Sequence, residues 1–155
     1  MAKTKKGYAS LKEQFQNREI EKIYHLFVYG NLKDDRGTIN LPIGRSNSSF
    51  KKWSAERGAR GEKRDAITFF QVLKRAIDPP SHKASEGQSQ PSFTKGLHHP
   101  VVGDKLYASG KEALLGFARL ALHAREISFK DVSGVQHRVL ANYPEDFQHA
   151  IDILG

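Results

Sequence analysis

Apolar residues near the amino terminus recur with a helical spacing. Tyr8, Leu11 and Phe15 stand at positions i, i+3 and i+7, with polar residues between them. Because about 3.6 residues complete one helical turn, these side chains form a single stripe. The pattern therefore predicts an amphipathic helix over residues 5–18.

Two strand-like segments follow, separated by turn residues. Residues 20–29 are rich in Ile, Tyr, Phe and Val, a composition that predicts a strand. Residues 31–37 contain two aspartates and a glycine, the chemistry of a hairpin turn. A shorter strand is expected over 38–43, where Pro42 and Gly44 end it.

The middle of the chain changes character twice. Residues 45–64 are basic, small and glycine-bearing, which predicts a loop with a short anchored turn. In residues 66–77, Thr68, Phe70 and Val72 alternate on one face and predict a strand, although a helical spacing also fits this segment.

Residues 78–96 differ from the rest in kind. Pro, Ser, Gly and Gln dominate them, and Phe93 is their only large apolar residue. Such a segment buries too little surface to offset the entropy lost on ordering. It is predicted to be disordered or a linker.

The last third completes the pattern of elements. It predicts a short helix over 111–117, strands over 120–129 and 135–141, and a final helix over 144–154. The final helix has Pro144 near its first turn and two acidic residues at its positive end. The predicted class is α+β, with a mixed, largely antiparallel sheet and flanking helices.

Charge is distributed unevenly along the chain. The protein contains 25 Lys and Arg against 17 Asp and Glu, giving a formal net charge of +8. Residues 1–75 hold 17 basic and 8 acidic residues, whereas residues 76–155 hold 8 and 9. RNA phosphates are the natural partner for such an excess, and a solubilising surface is the alternative.

Composition excludes several classes of protein and site. There is no cysteine, so disulfides, cysteine nucleophiles and thiolate metal sites are excluded. No apolar run reaches the roughly 18 residues of a membrane span, and the first ten residues are not a secretory signal. A glycine-rich phosphate loop and a Gly-x-Ser-x-Gly elbow are both missing. These observations favour a cytoplasmic protein.

Three sequence blocks stand in a recognisable order. HHPVVGDKLYASGKEALLGFARLALHAREISF at 98–129 leads from His-Pro to Gly-Asp-x-x-Tyr and then to Arg-Leu-x-Leu-His-Ala. EKIYHLFVYG at 21–30 contains Lys-x-Tyr, and INLPIGR at 39–45 contains Pro-Ile-Gly-Arg. Together they resemble the carboxy-terminal part of RNA pseudouridine synthases, in the branch that modifies uridines of large-subunit rRNA and of tRNA.

The resemblance implies an isomerase that needs no cofactor and no metal. Such enzymes flip a uridine out of its stack, because the glycosidic bond is unreachable inside a helix, and attack it with an aspartate. The motif that carries this aspartate, His-Arg-Leu-Asp followed by Thr-Ser-Gly, would lie before Met1 and is not in these 155 residues.

A second family motif, Gly-Arg-Thr-His, is also missing. Residues 78–96 stand in its place. We therefore expect residues 1–155 to form a single incomplete domain with a partial pseudouridine synthase catalytic fold, in which 78–96 is disordered or replaced. A local frameshift is the hypothesis for that replacement.

The resemblance assigns two residues to the substrate pocket and none to catalysis. Lys22 lies at the pocket edge, and Tyr24 matches the tyrosine that stacks near the target base. From the residues alone, Tyr24 is better explained as a strand aromatic in the core, and only the resemblance makes the pocket position equally acceptable. Lys22 is alternatively a solvated strand residue. Asp104 follows Gly103, and this pair is interpreted as a turn former rather than a nucleophile.

The histidines do not indicate a metal site. His98, His99 and His123 stand without cysteine and without the short helical spacing of a zinc protease. No metal is expected.

Basic residues supply the candidate RNA contacts. Side chains at this density suit phosphates, and Phe50 or Trp53 could stack on an unpaired base. For the segment as a whole the alternative is a solvated loop with Trp53 in the core, and for Arg119 it is an ion pair. The candidates are Arg45, Lys51, Lys52, Arg57, Arg60, Lys63, Arg64 and Arg119.

Three hypotheses about function follow. In the first, the chain is one piece of a split synthase whose amino-terminal piece is encoded upstream, so that the chain alone is inactive. In the second, it is a non-catalytic module that binds structured RNA, either rRNA or tRNA. In the third, it is a remnant that does not fold, because a lost strand leaves neighbouring strands with unpaired edges.

Overall fold

The computed structural model describes residues 2–45, 53–54, 60–64, 66–76, 99–105, 111 and 114–155. Within these ranges, residues 43–45, 53–54 and 60–64 are described by their backbone alone. The segment predicted to be disordered or a linker, 78–96, lies outside the described residues.

The described elements are two helices and eight strands. In chain order they are α1 (Lys5–Gln16), β1 (Glu21–Leu26), β2 (Arg36–Asn40), β3 (Ile43–Arg45), β4 (Trp53–Ser54), β5 (Arg60–Arg64), β6 (Ile67–Gln71), β7 (Leu122–Lys130), β8 (Gln136–Leu140) and α2 (Glu145–Ile153). All strand pairs among them are antiparallel, which confirms the predicted α+β class. No helix in the described ranges is long and apolar enough to cross a lipid bilayer.

Local chemistry explains where both helices begin. The Thr4 hydroxyl accepts a hydrogen bond from the Gly7 N–H at 3.0 Å, so Thr4 caps α1. At α2, Pro144 holds the cap position with φ −68°, and Glu145 and Asp146 fill the first turn. Acidic side chains there oppose the positive end of the helix dipole.

The principal sheet has the order β1-β7-β8. Leu26 pairs with Leu122 and Glu21 with Ser128, and a bulge between Ile23 and Tyr24 leaves one residue of β7, Arg125, without a partner on β1. The extra residue increases the local twist and re-aims side chains around it.

Two smaller sheets are built from the chain between β1 and β7. β2 pairs with β6, from Arg36 opposite Gln71 to Asn40 opposite Ile67. Strands β4, β3 and β5 form the other sheet, in that order.

The core lies where three distant segments interlock beside α2. The Phe27 N–H bonds to the Ala121 carbonyl at 3.1 Å, and the Val102 N–H bonds to the Phe27 carbonyl at 2.9 Å. The Ala121 N–H returns to the Val102 carbonyl at 2.8 Å. Phe117 and Phe147 pack edge to face over this junction with ring centroids 5.5 Å apart, and both are almost fully buried.

Gly103 permits this close approach. Its φ is +73°, and a Cβ at this position would lie 2.1 Å from the Arg119 carbonyl oxygen. Any side chain would collide with backbone, so the Gly-Asp pair allows the segment 99–105 to lie against the chain around Arg119.

A polar residue, not the apolar stripe, anchors α1. Tyr8 and Phe15 are more than half exposed, whereas Gln14 is buried at 7% exposure. The Gln14 amide donates to the Lys130 carbonyl at 2.8 Å and accepts from the Lys130 N–H at 2.9 Å. It thus extends the β7 ladder by one amide group.

Three predictions about local structure were wrong. Residues 31–37 do not close a hairpin, because β1 pairs with β7 and β2 pairs with β6. Residues 45–64 are not simply a loop, since β3, β4 and β5 pair within 43–64. The helix expected at 111–117 is not seen in its described residues, where Leu115 and Gly116 form a turn with positive φ.

Candidate functional site

Strand β1 carries the two residues assigned to the substrate pocket. Lys22 and Tyr24 are two positions apart, the spacing that places side chains on one face of a strand. Tyr24 is 49% exposed. The Lys22 Nζ lies 5.6 Å from the centroid of the Phe15 ring, so α1 borders this face at one end. The alternative, that Tyr24 is a strand aromatic filling the core, does not agree with this half-exposed position.

The neighbouring residue of β1 belongs to an aromatic and histidine cluster on the other face. The Tyr143 hydroxyl lies 2.6 Å from His25 Nδ1 and shares a hydrogen bond with it. His123 is the register partner of His25, and its ring lies 5.5 Å from that of Tyr143. The cluster therefore ties β1 and β7 to Tyr143, which precedes the Pro144 cap of α2.

The bulged residue Arg125 completes this cluster. Its guanidinium lies over the Tyr143 ring at 4.5 Å and donates to the Ala141 carbonyl. The Arg125 carbonyl accepts from the Ala141 N–H at 2.9 Å. The bulge thus turns one arginine onto the connection between β8 and α2.

Electrostatics in the cluster act on His25. Burial, and then the positive charges of Arg125 and His123, hold the pKa of His25 below its ordinary value near 6.5. The neutral imidazole is therefore favoured, and its Nδ1 shares the hydrogen bond with the Tyr143 hydroxyl.

Arg119 is engaged in a structural pair. Its Nε lies 2.8 Å from Asp146 Oδ2, and its Nη2 donates to Asp146 Oδ1 at 2.8 Å. Its remaining Nη1 donates to the carbonyls of Leu120 and Leu122. The ion pair that the sequence left open is present, and it fastens the start of α2 to the chain entering β7.

The other candidate RNA contacts belong to the small sheet or lie outside the described residues. The register of β3 and β5 places Arg45 opposite Arg60. Lys63 and Arg64 are also in β5. Lys51, Lys52 and Arg57, together with Phe50, lie outside the described part of the chain. The described backbone thus brings two of the predicted basic residues onto one rung.

The histidine and aspartate residues that the sequence did not favour as metal ligands or nucleophile make contacts of a structural kind. The His99 Nδ1–H donates to the Tyr29 carbonyl at 2.6 Å. The Asp104 N–H bonds to the Val101 carbonyl at 3.3 Å in the turn that follows Gly103. Among the described residues, no group of three His, Asp or Glu is placed to hold a metal ion.

Sequence reasoning missed the cluster around Tyr143. His25 and His123 lie almost a hundred residues apart and only the β1–β7 register brings them together. The one available signal was the alternation in β1, which puts His25 on the face opposite Tyr24.

Comparison of the sequence with known proteins assigns the chain to a family. The profile of the family described as RNA pseudouridylate synthase matches residues 1–116. The chain belongs to this family.

Curated relatives agree with the family assignment. An uncharacterized RNA pseudouridine synthase of Mycobacterium bovis is 30% identical over 162 residues, covering 99% of this chain and 51% of the relative. The dual-specificity RNA pseudouridine synthase RluA of Vibrio vulnificus is 35% identical over 139 residues, covering 83% of this chain and 53% of the relative. The chain thus spans about half the length of the curated relatives it matches.

Solved structures confirm the fold. Human RNA pseudouridylate synthase domain containing 4 superposes with a TM-score of 0.70 at 20% identity, covering 97% of this chain and 68% of that one. Human RNA pseudouridylate synthase domain containing 1 gives a TM-score of 0.71 at 23% identity, with 92% and 62% covered. The predicted pseudouridine synthase type of fold is therefore confirmed.

Proposed function

We propose that this pseudouridylate synthase family member supplies the RNA-contact scaffold and one wall of the uridine pocket in an isomerase that acts on structured RNA. The reaction converts uridine to pseudouridine in rRNA or tRNA, in the cytoplasm where these RNAs are found. A carboxylate from outside these 155 residues completes the site, and the 155 residues alone do not convert uridine.

The placement of Tyr24 carries the proposal. About half of the Tyr24 side chain is accessible on a strand of the principal sheet. Lys22 shares its face of β1. An exposed ring beside a cation suits a flipped base, which stacks on the ring while the cation meets the phosphate.

The chemistry needs a nucleophile that no motif supplies here. The string His-Arg-Leu-Asp is not among the 155 residues. Asp104 does not replace it, because it follows Gly103 in a turn packed against the backbone at Arg119. The carboxylate must therefore come from elsewhere for isomerisation to occur.

The proposal is tested by complementation. The purified chain is incubated with an rRNA or tRNA transcript carrying tritium at uridine C5, with and without the amino-terminal half of the Vibrio vulnificus relative. Tritium release is expected only when both pieces are present, and Tyr24→Ala should reduce it. Release by the chain alone would disprove the inertness, and no release from the pair would count against a split enzyme.

One observation favours a simpler, non-catalytic role in RNA binding. An antiparallel rung with arginine on both strands, Arg45 opposite Arg60, disfavours pairing unless an anion neutralises it. In this role the chain binds structured RNA with an affinity that falls as salt rises. Replacing Lys51, Lys52 and Arg60 by alanine should weaken binding and flatten the salt dependence. Binding indifferent to salt would exclude this role.

A further inference from the structure

The ribbon formed by β2 and β6 has an apolar face that is open to solvent. Side chains alternate along β6, so Thr68 and Phe70 are half-buried on one face while Ile67 and Phe69 project on the other. Phe69 is 78% exposed, and Leu73, two residues beyond β6, is 70% exposed. We call the surface of Ile67, Phe69, Gln71 and Leu73 the outer ribbon face.

An aromatic ring this exposed is unusual for a folded chain. Burying a phenylalanine side chain stabilises a protein by about 1.5–3 kcal/mol, and Phe69 forgoes most of that. Its register partner is Thr38, which offers it little cover. Contiguous exposed apolar residues commonly mark a binding surface.

The charges around this face are positive. Arg36 is the register partner of Gln71, and Lys74 follows Leu73. Neither side chain makes a hydrogen bond or ion pair with another residue in the described part of the chain. Asp35, which precedes Arg36, is already paired with Arg75 at 2.6 Å. A shallow open groove of about 630 Å³ runs along this end of the ribbon between residues 35–36 and 71–75.

The chain that leaves the other end of the ribbon carries basic residues as well. β2 continues through Leu41 and Pro42 into β3, whose Arg45 stands opposite Arg60. A polyanion with flat apolar rings matches this combination of exposed aromatic and flanking cations. An acidic protein surface would match the positive charges, but it would offer no flat ring to stack on the exposed aromatic side chain.

We propose that the outer ribbon face is an additional RNA-contact surface, on which an unpaired nucleotide stacks against Phe69 while Arg36 and Lys74, which both lie toward the Gln71 end of the ribbon, contact the phosphates on that side of the base. Arg36 stands two residues from the rung of Phe69, about 7 Å along the strand. A base on the ring would therefore carry its phosphates toward these cations. This inference rests on RNA being the partner, as the proposed function states.

The test compares substitutions at one position. Binding of a 12-nucleotide oligouridylate to the full chain is measured by fluorescence anisotropy. Phe69→Ala and Phe69→Leu should each lose roughly 5- to 150-fold in affinity, the loss expected for one stacked base, whereas Phe69→Trp should keep it. Val139→Ala, which truncates another exposed apolar residue on β8, is the matched control and should bind like the parent.

Salt dependence tests the two cations separately. Alanine at Arg36 or at Lys74 should lower the slope of log K against log salt by roughly 0.7 each, because each phosphate contact on a single strand releases about that many counterions. Lys12→Ala on α1 should leave the slope unchanged. Because Phe69 is largely exposed, its variants should melt within a few degrees of the parent, and the melting curve verifies that each is folded.

Each outcome decides between surfaces. If the parent binds RNA and Phe69→Ala binds equally well, the outer ribbon face is not an RNA contact, while the proposed function stands. If Phe69→Leu binds like the parent, stacking is wrong. If Phe69→Ala instead converts a dimer to a monomer with unchanged RNA affinity, the face joins copies of the chain. If the parent binds neither the oligouridylate nor an rRNA or tRNA transcript, both proposals fail.

Discussion

Gly103 provides a sharp test of how the three segments of the core fit together. Its φ of +73° favours glycine, and a Cβ there would lie 2.1 Å from the Arg119 carbonyl oxygen. Gly103→Ala must therefore displace backbone on one side of the junction. The displacement would separate the segment 99–105 from the chain that anchors α2.

Two effects combine in this substitution. A left-handed conformation costs an alanine about 1–2 kcal/mol. Forcing an extra carbon into a packed junction costs about 1–3 kcal/mol more. The expected destabilisation is therefore about 2–5 kcal/mol, a large part of the roughly 5–15 kcal/mol that stabilises an ordinary domain.

Gly134 is the matched control, because it isolates the steric part. Its φ is +84°, but nothing lies within 4 Å of its missing Cβ. Gly134→Ala should cost only the conformational term, and the lower entropy of unfolded alanine affects both variants alike.

The free energies of unfolding are measured by urea denaturation followed by circular dichroism, and the melting temperatures by calorimetry. Gly103→Ala should melt about 2–12 °C below Gly134→Ala, since 1 kcal/mol corresponds to about 2–4 °C in a domain of this size. Equal losses from the two substitutions would show that the close approach at Arg119 does not stabilise the fold. The absence of a cooperative transition in the parent would instead favour a remnant that does not fold.

Other contacts give further predictions. Gln14→Ala should cost about 1–3 kcal/mol, because it leaves two backbone groups at the end of β7 unpaired, while the exposed Gln16→Ala should be nearly neutral; urea midpoints compare them. Because the pKa of His25 is lower in the folded chain than in the unfolded chain, the unfolded chain binds the proton more tightly. The stability that the neutral His25 contributes is therefore complete above about pH 6.5. It is lost as the pH falls from there through the pKa of the folded chain. His25→Gln should therefore reduce the difference in urea midpoint between pH 7.5 and pH 5.5. An unchanged difference would mean that other titratable groups cause the pH dependence. Arg119→Met and Asp146→Asn should each cost about 1 kcal/mol and should not be additive in a double-mutant cycle, whereas full additivity would mean that the pair contributes nothing.

The sequence correctly predicted those helices and strands whose signals lie within their own residues and the residues next to them. The helix at α2 follows from Pro144, two acids and an apolar face, and the structure begins it at Glu145. The strands β7 and β8 lie within two residues of their predicted ends. Their periodicity, caps and turn residues are all close in sequence, so no knowledge of tertiary partners is needed.

Predictions that depend on distant partners could not be made from the same signals. The turn residues between β1 and β2 resemble a hairpin, yet nothing local states that β2 pairs with β6. Gln14 stands within an amphipathic pattern as an ordinary polar residue, and its partner is Lys130. At the candidate site, Tyr24 was assigned because Lys-x-Tyr resembles the family motif, and that assignment stays a prediction. The bulge that turns Arg125 onto Tyr143 is a property of the register and has no such motif.

The interlocked junction has a consequence for synthesis on the ribosome. β1 is made early, but Leu26 pairs with Leu122, roughly a hundred residues later, so its native neighbour is still untranslated when it emerges. In that interval its edge is available to any other extended segment. We expect the nascent chain to stay protease-sensitive until α2 has left the exit tunnel, and to depend on chaperones for that time.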